Sequence, residues 1–312
     1  MIRKNILFTG ANGYIGSSIV NKLKNTNRLF LLSRIGGQSE KNIIHIQADI
    51  TKKGVWKNIL KNIDIIYHFA AQTSSQYANT YPSKDLKTNL MPIVDLIETC
   101  QNYHFSPDII FAGAATETGF TDRNSINGNV KDLPITIYDI NKLAAEKYLQ
   151  YYSNQLKKRS VILRLANIYG PGPISSRPDR GIVNMMIKKA LRGESIVIYG
   201  DGNFIRDYLH VDDVVSAFLL ASANIKKTKG NYYTIGTGIG HTILEMATII
   251  KEEVAKIARK KVNIVFAPFP KDTSPIEYRS FIADSSNFKK DGSWSATISL
   301  RDGIRNTIEY FI

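Results

Sequence analysis

Apolar residues in the first half of the chain come in short unbroken runs, and the stretches between them carry helical spacing. NILFTG, LFLLS, IIHIQAD, DIIYHFAA, DIIFAG and SVILRLA read as strands, while residues 14–25, 85–103 and 138–157 predict helices. Strands that alternate with helices of this length form βαβ units, hence a parallel sheet with helices on both faces. From about Gly170 the alternation gives way to Gly/Pro-rich stretches (YGPGPISSRPDRG, FAPFPKDTSP) and shorter elements. The pattern therefore divides the chain at 170: residues 1–170 build the sheet, and 171–312 form a second region around the strand ends, with parts returning to the sheet. No internal repeat or low-complexity segment is visible.

Composition narrows the function classes. No run approaches the roughly 18 apolar residues that a membrane span needs, and MIRKNILFTG enters a motif with no cleavage site, so a cytoplasmic protein is expected. The single cysteine, Cys100, has no partner for an internal disulfide and no metal-site spacing around it; it reads as a buried small hydrophobe. The net charge of +14 is spread over lysines that fall singly or in pairs, such as Lys52 with Lys53 and Lys260 with Lys261, without a nucleic-acid motif. That is a solvated basic surface, one that favours polyanionic small ligands over nucleic acid.

The first strand ends in TGANGYIG, with Gly10, Gly13 and Gly16 three apart and a helix pattern from Tyr14 to Leu23 directly behind. Glycine lets the backbone turn sharply and approach a pyrophosphate, whose charge sits against the free N–H groups of the helix start. This position makes a dinucleotide site of the turn and a Rossmann-type, doubly wound sheet of the fold. NAD sites usually carry an acid at the end of strand two, about 20 residues on, to hold the ribose 2′-hydroxyl. Here the strand ends in Ser33 and Arg34, a combination that suits the 2′-phosphate of NADP(H), with NAD(H) the alternative. Asp49, closing the third strand, reads either as an adenine contact or as a loop cap. Tyr138 and Lys142 stand four apart, on one face of a predicted helix. A neighbouring ammonium stabilises a phenolate, so the tyrosine can move the proton that accompanies hydride transfer.

With these residues in hand the chain resembles the extended short-chain dehydrogenase/reductase family of nucleotide-sugar epimerases, dehydratases and reductases. The resemblance is carried by TGANGYIG, HFAAQ (68–72), Asn89 in KTNL, Tyr138 and Lys142, RLANIYGPG (164–172) and GDGNFIRDYLHVDDV (200–214). It implies a smaller C-terminal α/β domain for a nucleotide-diphosphate sugar, with Tyr138 as acid/base and Lys142 on the nicotinamide ribose. It also implies a cofactor site that takes in Asn12, Tyr14, Ile15, Ile50, Ala70, Ala71 and Asn89. Asn167 and Arg206 fall to the substrate diphosphate, the Arg192–Tyr199 segment lies near the base, and Arg279 joins the substrate site. The family often dimerises through two helices of each subunit, here 85–103 and 138–157. From its own surroundings, Arg206 either pairs with Asp207 or Asp213 or binds a diphosphate, which its planar fork suits.

One loop departs from the family pattern. Where a Ser or Thr usually follows strand five, FAGAATETGF aligned on Gly119 puts Ala114 at the hydroxyl position, Ala115 and Thr116 where dehydratases carry an Asp-Glu pair, and Thr118 at the usual second tyrosine. Dehydration lacks its acid and base unless a one-residue shift brings in Glu117. Thr116 is then the candidate for the missing hydroxyl, with Thr73 and Ser74 behind it; otherwise Ala114 is itself a silencing substitution. The first reading is an NADPH-dependent 4-keto-sugar reductase. The alternative is a 4-epimerase with tightly held cofactor, and a dehydratase or a weakened dinucleotide-binding protein comes after both.

Overall fold

The computed structural model describes residues 3–120, 125–126, 130–173, 181–271 and 273–312; residues 174–180 of YGPGPISSRPDRG and Asp272 of FAPFPKDTSP lie outside these. A seven-stranded sheet forms its centre. Five of its strands are β1 (Asn5–Thr9), β2 (Arg28–Ser33), β3 (Ile43–Gln47), β4 (Ile65–His68) and β5 (Asp108–Ala114); Ser160–Leu165 and Tyr232–Ile235 complete it. The spatial order is Tyr232–Ile235, Ser160–Leu165, β5, β4, β1, β2, β3, with every neighbour parallel. The six predicted strands are all present. The seventh, Tyr232–Ile235, comes from beyond residue 170 and pairs with Ser160–Leu165 at the sheet edge.

Both faces of the sheet are covered, which is why its strands read as continuous apolar runs. Along β1 the side chains alternate: Ile6 and Phe8 join one core with Ile19, Val20, Val214 and Phe218, while Leu7 joins another with Trp56, Leu96 and Leu149. Helix α1 (Tyr14–Leu23) and the helix Val211–Ala223 cover the first face, and the helices Met91–Asn102 and Ile137–Asn154 lie on the second. The expected helix over 85–103 is two helices, Pro82–Asn89 and Met91–Asn102, parted at Leu90. Pro92 has no N–H to continue the ladder and fits only a first helical turn, so the helix restarts there. Cys100 is buried among the second set of side chains.

A third core joins the helices Ile182–Leu191, Ile243–Ile257 and Leu300–Phe311. Small strand pairs link it to the sheet, among them Asn167–Tyr169 beside Ile205–His210. The order of the large sheet reverses between β1 and β4, and in sheets of this kind the crevice beyond the carboxyl ends of the strands at the reversal is where ligands bind. Among the described residues no helix is long and apolar enough to cross a membrane.

Candidate functional site

At the crevice the backbones of two loops touch. Gly10 has φ +71°, and a Cβ there would sit 2.7 Å from the Ala70 nitrogen; a Cβ on Gly16 would sit 2.4 Å from the Gly10 carbonyl oxygen. Only glycine allows this turn to lie against the end of β4. Gly13 caps α1 without a side-chain acceptor, and the first turn holds no acid, so no side chain competes for those N–H groups. The adjacent loop is fastened by the Ala70 N–H, which donates to Thr9 Oγ1 at 3.2 Å. Ala71 follows at the same rim, Asn12 is exposed, and Ile15 packs against the core. This set fits a pyrophosphate. The Tyr14 side chain turns elsewhere: its phenol donates to the Gly170 carbonyl and accepts from Asn184 at 3.3 Å, tying α1 to the loop after Tyr169.

At the end of β2 the Ser33 hydroxyl donates to the Ile35 carbonyl, and Arg34 is exposed. Asp49 caps its loop. Its Oδ1 accepts the Thr51 N–H at 2.9 Å and the Thr51 hydroxyl at 2.8 Å. The Thr51 N–H is the main reason its carboxyl lies below the usual range, and the charge of Arg34 adds to the effect. Ile50 is buried in the second core.

Beneath the loop after β4 lies a polar knot around Asn89 whose centre, Asp85, the sequence reading missed. Asp85, fully buried, accepts from the amides of Gln72 (2.7 Å), Asn89 (2.8 Å) and Asn141 (2.8 Å). Asn89 also brackets the Gln72 backbone, accepting its N–H at 2.9 Å and donating to its carbonyl at 2.8 Å. Its side chain thus positions the loop that carries Ala70 and Ala71. Ser74 is buried and caps the helix Ser75–Thr80, accepting the Tyr77 N–H at 3.1 Å, whereas Thr73 is exposed.

The helix Ile137–Asn154 starts beside a polar cavity of about 110 Å³. Tyr138 in its first turn lines this cavity together with Thr116, Asp139, Asn167, Arg206 and Arg279; Ser75 and Glu277 are also at the wall. One turn on, Lys142 is buried, donates to the Ala112 carbonyl and lies 3.8 Å from the centre of the Phe111 ring. Burial pushes its pKa down, opposed by Glu117, Asp85 and Glu146. Arg164, also fully buried, binds Glu146 at 2.8 Å and Asp132 at 2.6 Å. The buried His68 is held neutral, its pKa lowered to about 3 by burial, with the charge of Lys142 adding to this.

Ala114 ends β5, and its N–H donates to Glu117 Oε1 at 2.7 Å. Glu117 is thereby folded inward, fully buried and 3.2 Å from Arg164, and it is absent from the cavity wall. Burial raises its pKa, with Arg164 opposing. Thr116 does reach the cavity, where its hydroxyl donates to Asp139.

Neither expected carboxylate partner of Arg206 is found. Asp207 instead accepts from Thr237, Gly238 and Ala283, and Asp213 from Thr297 and Ile298. Arg206 donates to the carbonyls of Glu277 (2.7 Å) and Arg279, with the Glu277 carboxylate 3.9 Å away and largely exposed. Arg279 donates to the Ala115 carbonyl at 3.2 Å; burial, and then the charge of Arg206, push its pKa down to about 10. Two buried guanidinium groups thus share one cavity wall. Tyr199, expected near the base, is half exposed and packs near Phe269, which contacts Phe204 and Tyr278; these three neighbours, beside Glu277, were missed.

Comparison with known proteins places this geometry. The model of the NAD dependent epimerase/dehydratase family matches residues 6–236. The UDP-glucose 4-epimerase of Thermotoga maritima, solved with UDP-glucose, is 29% identical with a TM-score of 0.85, each chain covered over 98%. The UDP-glucuronic acid 4-epimerase of Bacillus cereus, solved with UDP-glucuronic acid and NAD, is 25% identical with a TM-score of 0.84, again covering 98% of both chains. Among sequence relatives, the CDP-paratose 2-epimerase of Salmonella typhi is 24% identical over 98% of each chain.

Proposed function

The chain belongs to the NAD dependent epimerase/dehydratase family, and from that premise we propose that it oxidises and re-reduces a carbinol carbon of a nucleoside-diphosphate sugar, as an epimerase. One observation carries this reading: a single cavity joins Tyr138, with Lys142 one turn behind it, to the paired guanidinium groups of Arg206 and Arg279. A buried cation held, among the described residues, by carbonyls and a distant carboxylate favours an anionic ligand with several acceptor oxygens, and a diphosphate has them. When bound, a nicotinamide dinucleotide supplies hydride transfer. The loop Gly10–Gly16 holds its pyrophosphate, with Ala70 and Ala71 at the rim. Tyr138 takes the hydroxyl proton of the sugar and returns it, and the Lys142 ammonium stabilises the phenolate in between. Tyr199 and its aromatic neighbours offer flat faces to the base. Glu117, turned inward, is not presented as a dehydratase acid.

A second reading, the NADPH-dependent reductase, is favoured by Ser33 and Arg34 at the end of β2. Incubation with UDP-, dTDP-, CDP- and GDP-hexoses separates the two. An epimer formed without net change in nicotinamide absorbance indicates the epimerase; stoichiometric NADPH consumption with a 4-keto sugar indicates the reductase. If neither occurs and no hexose nucleotide binds, the functional reading is wrong. Titration with NADPH and NADH tests the cofactor: tighter NADPH binding, weakened in Arg34→Ala, is expected if Arg34 meets a 2′-phosphate.

A further inference from the structure

The turn after β5 and the first turn of the helix Ile137–Asn154 meet at Asp139. Its carboxylate accepts two hydroxyl protons, from Thr136 at 2.5 Å on Oδ2 and from Thr116 on Oδ1. An ionised carboxylate has none to give back, so both threonines must donate. For Thr136 this completes a helix cap, because its oxygen accepts the Asp139 N–H at 3.2 Å. Thr116 is different: it lines the cavity, and with its proton committed to Asp139 it offers the cavity lone pairs only. The turn around it is pinned as well, by Glu117 on the Ala114 N–H at 2.7 Å and by Arg279 on the Ala115 carbonyl at 3.2 Å.

We propose that Asp139 is a positioning residue that fixes the Thr116 hydroxyl as a hydrogen-bond acceptor, so that the cavity selects a sugar bearing a donor hydroxyl at or beside the reacting carbon. The inference rests on the hexose-nucleotide reading above and deepens it. It gives Thr116, the candidate from sequence for the missing hydroxyl, the part of an acceptor. A deoxy analogue brings no proton to Thr116 and leaves its acceptor at the cavity wall unpaired where the sugar excludes water, the situation in which sites discriminate most strongly.

The test is a double-mutant cycle on Thr116→Val and Asp139→Asn, read in the tightest-binding hexose nucleotide of the UDP-, dTDP-, CDP- and GDP- panel. Each single variant is expected to lose roughly 10- to 100-fold in kcat/KM and to weaken the hexose nucleotide in calorimetry, while Thr116→Val, which removes no charge, leaves affinity for the bare nucleoside diphosphate unchanged. The double variant should lose no more than the worse single one, since Asp139 acts through Thr116, and Thr116→Ser should retain most of the activity. Additive losses would overturn the proposal. So would an Asp139→Asn enzyme that loses thermal stability, as any cap variant does, yet keeps wild-type kcat/KM and the same preference for hexose over deoxyhexose nucleotide. A wild-type protein that binds none of the four bare nucleoside diphosphates instead refutes the functional reading itself.

Discussion

At the scale of the residue, the placing of Tyr138 and Lys142 one turn apart was legible because a spacing of four is a helical period, and both lie on the helix Ile137–Asn154. Tyr138→Phe is expected to lower kcat by about 100- to 10,000-fold, the usual worth of a positioned proton carrier, with cofactor affinity close to wild type. Lys142→Ala should damage both, and a Tyr138→Phe enzyme that keeps most of its rate would assign the proton to another group. Asp85 and Asp139 were not legible, because each acquires its role from side chains far away in the chain: Asn141 for the one, Thr116 for the other. His68 yields a prediction independent of activity. It is buried beside Trp56 and Phe111 with its pKa lowered to about 3, so between there and its ordinary value the unfolded chain binds one proton more than the folded one. Stability must then rise with pH across that window and fall on acidification, at up to about 1.4 kcal/mol per pH unit from this one group. Urea unfolding of wild type and His68→Gln between about pH 4.5 and 6 should give a shallower slope for the variant, and equal slopes would show that His68 is not held neutral.

At the scale of the element, the strands were legible because a sheet covered on both faces leaves unbroken apolar runs, Ser160–Leu165 with all six residues buried being the extreme case. Elements whose side chains have to be read in register were harder. Arg206 and Asp207 are neighbours in the strand Ile205–His210, and neighbours in a strand point to opposite faces; adjacency, which suggested an ion pair, in fact separates them. The spacing of residues 85–103 concealed a break because apolar periodicity carries across it while the hydrogen-bond ladder does not. The turn Ala115–Thr118 is the element on which the two accounts of Ala114 differ. If Thr116 serves the cavity, Thr116→Val lowers kcat/KM roughly 10- to 100-fold and Ala114→Thr alters it little. If Ala114 instead silences the enzyme, Ala114→Thr restores activity and Thr116→Val is neutral. Steady-state rates of both variants, measured together on one substrate, decide between them, and the committed hydroxyl of Thr116 leads us to expect the first result.

At the scale of the whole molecule, the helix Ile137–Asn154 has two distinct sides. Lys142, Ala145, Glu146 and Leu149 face inward and are buried, whereas Ile140, Tyr148 and Tyr151 are 46%, 43% and 49% exposed along the opposite side. Positions 140, 148 and 151 fall within one stripe of a 3.6-residue period, and Leu86 and Met91 on the two neighbouring helices are 39% and 38% exposed. Exposed apolar side chains on three mutually packed helices suit a second copy of the same surface, which would make an isologous interface of six helices. We therefore predict a homodimer in which each partner steadies the helix that carries Tyr138. The net charge of +14 on each copy opposes association, so the dimer should tighten as salt screens the repulsion. Sedimentation velocity at micromolar concentration should find wild type at twice the chain mass, and Tyr148→Glu with Tyr151→Glu at the mass of one chain. The thermal midpoint of wild type should rise with protein concentration while that of the double variant does not. A monomeric wild type, or a double variant that still dimerises, would mean that the stripe is covered by something else.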